Sequence, residues 1–170
     1  MEIIQIINAA ASIAMVVALI YTILEFRRSS KFSKTTFLLD LRDKFMESKR
    51  YNIHIALERK EDINNESDLN DYLGLFEVCE IMIENGALEL TDFTKLYKYR
   101  LENILGNKKI VFNKLVNEYE YWKSLYNLLN RCFSDYKKEF RELTKMREKK
   151  TGIDDDSFIK IIDKLSKISN

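Results

Sequence analysis

Residues 3–24, IIQIINAAASIAMVVALIYTIL, run for 22 positions without a charge and lead directly into Glu25-Phe26-Arg27-Arg28. As a helix rising about 1.5 Å per residue, the stretch reaches roughly 33 Å, enough to cross a hydrocarbon core of about 30 Å. A single segment satisfies its own backbone in lipid only as a helix, so the reading is one membrane-spanning helix. Its seven Ile, two Val and two Leu contribute roughly 3–6 kcal/mol towards insertion. Gln5 and Asn8 oppose this near the start, where interfacial water reduces the penalty. A cleaved signal peptide would have a basic flank, a shorter apolar run and a small-residue cleavage site after it. Here the flank is Met1-Glu2 and the run ends on Tyr21, Ile23, Leu24 and Phe26, which points to an uncleaved anchor.

Charge sets the orientation. Arg27, Arg28, Lys31 and Lys34 follow the span with no acid among them, so the positive-inside rule puts the N-terminus outside and the bulk in the cytosol, at the inner membrane. Cys79 and Cys132 suit that reducing compartment as core residues. On the span, Ala10, Ala14 and Ala18 form a small-residue ridge suited to membrane-helix packing. Gln5, Asn8 and Ser12 form a polar arc on another face. Self-association through these stripes competes with an ordinary anchor whose amides sit among headgroups.

Lys plus Arg (28) nearly balances Asp plus Glu (27), which argues against a nucleic-acid partner. The chain has no proline and four glycines; three of the glycines fall where helical periodicity breaks, as helix C-caps do. The fold class expected is all-α. Residues 1–26 form the transmembrane anchor and 27–36 a basic juxtamembrane segment. Residues 37–132 form a cytosolic helical bundle, and 133–170 amphipathic C-terminal helices.

Within the bundle, Phe37, Leu38, Leu41 and Phe45 keep helical spacing, and a second helix is expected over Ser48–Arg59. After the polar loop 61–67, Asp68 is the expected N-cap of a helix closed by Gly86. Its core stripe is Leu69, Tyr72, Leu75, Phe76, Cys79, Met82 and Ile83. Helix 89–105 turns Phe93, Leu96, Tyr97, Leu101 and Ile104 inward. From Lys109 to Glu148, Leu115, Tyr119, Trp122, Tyr126, Leu129, Phe133, Tyr136, Phe140 and Leu143 trace a heptad seam, read as one long helix with a coiled-coil pattern, an early break being the alternative. Its second half is charged around Phe133, Tyr136, Phe140 and Leu143. This association seam would pack on the C-terminal helix or on the same helix of another subunit. The last helix begins at Asp154-Asp155-Asp156 and carries Phe158, Ile161, Ile162, Leu165 and Ile168 on one side.

Little chemistry is offered. One histidine, His54, and two separated cysteines leave no metal-ligand spacing, and no phosphate loop, GxSxG or HExxH occurs. Glu77, Glu80 and Glu84 share a face and are the best candidates for acid–base or metal chemistry. Pairing with Arg42, Arg59 or Arg100 is the commoner role of such a row. The aromatic group Tyr119, Tyr121, Trp122 and Tyr126 reads as core rather than ligand pocket. No catalytic residue, metal or cofactor is expected.

Phe37-Leu38-Leu39, Leu75-Phe76-Glu77 and Glu84-Asn85-Gly86-Ala87-Leu88, behind a span ending in basic residues, give the chain a resemblance. It resembles an uncharacterised bacterial family of small single-pass membrane proteins with a helical cytosolic domain of unknown function. The likeness covers about residues 1–132, and the charged tail departs from it. Some members neighbour phage-defence or abortive-infection genes, so the resemblance implies antiviral defence and no catalytic residues. The function expected is a non-enzymatic, membrane-anchored module that acts as a homo-oligomer or docks a protein partner. The alternatives are an oligomerising effector whose polar arc permeabilises the membrane, and an enzyme using Glu77 and Glu80.

Overall fold

The computed structural model describes residues 34–149 and 152–167. The expected span lies outside them, with Ala10, Ala14, Ala18, Gln5, Asn8 and Ser12. Among the described residues every regular element is helical, so the all-α class holds. None of their helices is long and apolar enough to cross a membrane. Residues 34–46 are helical (α1). The chain divides into two compact units, Met1–Asp43 and Lys44–Asn170. In the described part of the first, Arg42 pairs with Asp43 at the surface.

The second unit continues with α2 (Ser48–Glu58), α3 (Glu66–Glu84), α4 (Leu90–Leu105) and the single turn α5 (Lys108–Ile110). A π-helical segment, Val111–Asn117, leads to α6 (Lys123–Cys132), a 3-10 turn at Ser134–Tyr136, α7 (Lys137–Lys149) and α8 (Asp156–Ser166). Helix α3 is central, packing on α2 and α6, while α4 packs on α2, α6 and α8. Its N-cap is Asn65, whose side chain accepts from the Asp68 amide at 3.1 Å, rather than Asp68 itself. The buried face is Leu69, Tyr72, Leu73, Phe76, Cys79 and Glu80, a stripe at i, i+3, i+4 spacing. It is rotated from the expected one, so that Leu73 and Glu80 enter while Leu75, Met82 and Ile83 are half-buried.

Five rings fix this centre. Phe45 lies 5.7 Å from Tyr72, 4.9 Å from Phe76 and 5.2 Å from Tyr97, and Phe93 closes the group against Phe76 and Tyr97. Each such aromatic pair adds about 0.5–1.5 kcal/mol beyond area burial. On α4, Phe93, Tyr97, Leu101 and Ile104 face inward as expected, but Leu96 is exposed and Arg100 is buried in its stead.

The long helix expected from Lys109 to Glu148 is folded back on itself. It breaks at residues 118–122 and again at 133–136, and contacts across the breaks show why. The Tyr126 hydroxyl donates to the Phe140 carbonyl at 2.8 Å, and Arg147 stacks on the Tyr119 ring at 3.7 Å. In one straight helix those pairs would stand roughly 21 and 42 Å apart. Folding lets α7 bury its seam on α8 and on the π-helical segment. The seam's partner is therefore the chain's own C-terminal helix.

Two helix ends share one geometry with opposite residue choices. After α3, Gly86 adopts φ 69° while the Ala87 and Gly86 amides donate to the Met82 and Ile83 carbonyls, a Schellman motif. After α2, Glu61 and Lys60 donate to Ala56 and Leu57 in the same pattern, with Lys60 at φ 57°. The left-handed conformation costs a residue with a Cβ about 1–2 kcal/mol. Lys60→Gly should raise stability by about 0.5–1 kcal/mol, and Gly86→Ala, which meets no steric neighbour, should lower it by about 1 kcal/mol. Urea denaturation of the two variants checks this, and changes of the same sign would refute the assignment.

Candidate functional site

The association seam is spent inside the chain. Phe133, Phe140 and Leu143 are buried and Tyr136 is half-buried. Lys98 of α4 covers the Phe133 ring and the Tyr126 ring packs edge-on to Phe140. As folded, these residues pack within their own chain, the first of the two arrangements expected for the seam. The aromatic group is likewise no pocket. Tyr119 and Tyr126 pack edge to face, Trp122 Nε1 donates to Glu118, and Tyr121 points to solvent at 83% exposure.

The glutamate row is split by burial. Glu80 is fully buried between α3 and α6, with Arg131 Nε 3.1 Å from its Oε1. The same guanidinium reaches Glu84 at 3.5 Å. The partner is thus Arg131 and not Arg42, Arg59 or Arg100. Burial raises the Glu80 pKa, and Arg131 only partly opposes it. Burial also raises Glu77, with a backbone hydrogen bond from Leu125 opposing it. Among the described residues no group of three His, Cys, Asp or Glu is placed to hold a metal ion. Cys79 and Cys132 are free, and burial pushes both thiols up to about 12, so neither is a ready nucleophile.

Lys114, which the heptad reading passed over, lies almost wholly buried on the π-helical segment. Its Nζ donates to Glu66 at 2.9 Å and Glu118 at 2.8 Å, beneath the Trp122 ring. The i to i+5 bond from the Glu118 amide to the Asn113 carbonyl, 2.8 Å, widens the helix. That lets the consecutive residues Lys114, Leu115 and Val116 all face inward. Desolvation lowers the Lys114 pKa, but the two carboxylates more than offset it and the net direction is up. The ammonium stays charged, so it clasps helices rather than attacking a carbonyl.

A third polar group differs from these because, among the described residues, no opposite charge meets its cation. Arg100 on α4 is 5% exposed, His54 on α2 6% and Tyr72 on α3 0%. Arg100 Nε and Nη1, His54 Nδ1 and the Tyr72 hydroxyl make no hydrogen bond. The guanidinium lies over the faces of Phe45 at 5.0 Å and Tyr99 at 5.3 Å, and the His54 ring meets Tyr99 edge-on at 5.5 Å. Burial lowers the His54 pKa and the Arg100 charge lowers it further, so the imidazole is neutral at pH 7. Burial pushes the Tyr72 phenol up to about 12, against the pull of the adjacent Arg100 charge.

Tyr99 is also a wall of a cleft of about 590 Å³, shared with Leu57, Glu58, Asp62, Asn107 and Lys109. That volume suits a small molecule. The Asp62–Lys109 ion pair, 2.6 Å, lines both this cleft and a smaller one of about 230 Å³ that reaches Glu66 and Lys114. Periodicity did not expose this site, because it treats a charged residue at an inward position as misplaced. Arg100 set between apolar neighbours was its one visible sign. No protein-family model, curated protein or solved structure matches the chain.

Glu80 supplies a test of the buried pair. Because its folded pKa is raised, the unfolded state releases this proton first, and Glu80's contribution to stability falls as pH climbs from the ordinary carboxylate range through the raised value. Arg131→Ala strips the counter-charge and should lose about 2 kcal/mol at pH 7. The loss should shrink at pH 4.5, where Glu80 takes up a proton, and should be largely rescued by adding Glu80→Gln. An equal loss at both pH values without rescue would mean that Arg131 acts through packing alone.

Proposed function

We propose that this chain is a non-enzymatic, membrane-anchored helical module. It sits at the inner membrane with its N-terminus outside and its helical unit in the cytosol, and works by self-association or by docking a protein partner. The observation that carries the reading is the uncharged stretch 3–24 abutting Arg27, Arg28, Lys31 and Lys34. The pairing of Lys114 and Glu80, each buried against opposite charge, supports structural rather than catalytic roles for them. With the α7 seam filled by the chain itself, the reading moves self-association to the ridge Ala10, Ala14 and Ala18. The family resemblance of residues 1–132 suggests phage defence as the process served.

The polar arc Gln5, Asn8 and Ser12 favours a second reading, an effector whose gathered spans leak ions. The full-length chain should stay with the membrane pellet after a carbonate wash. In detergent its mass should exceed that of a monomer, and Ala14→Leu should lower it. Recovery of the untreated chain in the soluble fraction would end the anchored reading. Induced expression with a potential-sensitive dye separates the two forms. Depolarisation relieved by Gln5→Leu with Asn8→Leu selects the effector, and an unchanged potential selects the docking module.

A further inference from the structure

Arg100, Tyr72 and His54 come from three helices and converge with unpartnered polar atoms, each side chain more than nine-tenths buried. A guanidinium held out of water without an opposite charge is strongly disfavoured. Among the described residues no carboxylate lies within ion-pair distance of Arg100. All three side chains can donate hydrogen bonds. The guanidinium presents a fork, the phenol is protonated throughout the physiological range, and the neutral imidazole carries one N–H. With Phe45 and Tyr99 over its faces, Arg100 has only its in-plane N–H groups left to engage a ligand. That geometry matches the two oxygens of a carboxylate or phosphate.

Access also has a structural basis. Tyr99 is 46% exposed, touches Arg100 and His54, and lines the 590 Å³ cleft on its other side. It is the partition between cleft and cluster, and half-exposed side chains change rotamer within nanoseconds. The cleft lining carries Lys60, Lys108 and Lys109 as well as Glu58, Glu61, Asp62 and Glu102. Such a mixed rim suits a ligand that is anionic at one end and polar elsewhere.

We propose that Arg100, Tyr72 and His54 form an oxyanion-binding site for a small molecule bearing a carboxylate or phosphate group, which enters from the cleft past Tyr99. The test uses the full chain in detergent micelles, titrated with acetate and separately with inorganic phosphate, with chloride holding ionic strength constant. The Arg100 Nε–H resonance is followed by NMR and the unfolding midpoint by thermal denaturation. Either anion should shift that resonance saturably and raise the midpoint. A response to acetate alone assigns the carboxylate class, and one to phosphate alone the phosphate class.

Arg100→Gln should weaken binding about 100-fold and Tyr72→Phe about tenfold, while Tyr99→Ala should bind at least as well as the wild type. Should Arg100→Gln fail to fold, Tyr72→Phe decides, since it keeps the charge and removes one donor. An unmoved Arg100 resonance with both anions would overturn the site. So would an identical midpoint rise in wild type and Tyr72→Phe, which would trace the effect to surface lysines.

Discussion

The helical unit depends on Phe45 being enclosed by Tyr72, Phe76 and Tyr97. One ring from the first described helix touches residues of both α3 and α4, so it fixes their rotation about their own axes. That rotation decides which polar groups are carried inward. Turned as it is, α3 brings Tyr72 and Glu80 into the interior and α4 brings Arg100. The polar chemistry of the unit is a by-product of how its rings pack, and the two cannot be varied independently.

The buried charges have been treated in two ways. Lys114 and Glu80 are each met by opposite charge drawn from another helix, which removes most of the penalty of leaving water. Both pairings also join segments distant in sequence, Glu66 to Lys114 across 48 residues. Arg100 is instead covered by aromatic faces. Cation–π contact repays part of the desolvation of a guanidinium and leaves its hydrogen-bonding capacity unspent. This contrast, rather than any motif, singles out the α2–α4 side of the unit.

Amphipathic stripes made much of the helical architecture legible in the sequence. The apolar faces of α3, α4 and α8 were readable because burial of Phe76, Phe93 or Phe158 imposes a 3.6-residue period. The fold-back of residues 109–149 was not, for a physical reason. The turns at 118–122 and 133–136 contain no glycine or proline, and they keep Tyr126 and Phe140 on inward faces, so the heptad count runs through them undisturbed. Periodicity reports which side of a residue is wet, not whether the axis continues. Glu80, Arg100 and Lys114 were illegible because a charged residue is ordinarily a mark of the surface. Their burial depends on partners or rings contributed by other helices.

The pairing of α3 with α6 bears on how the chain is made. A ribosome adds about 5–20 residues per second, and Arg131 emerges about 50 residues after Glu80. For several seconds the growing chain therefore displays Cys79 and Glu80 on a helix face whose cover does not yet exist. Until α6 is synthesised, that face is open to chaperones, to neighbouring nascent chains and to any surface near the exit tunnel. Vectorial synthesis makes the most tightly packed face of the finished protein its most vulnerable one at birth.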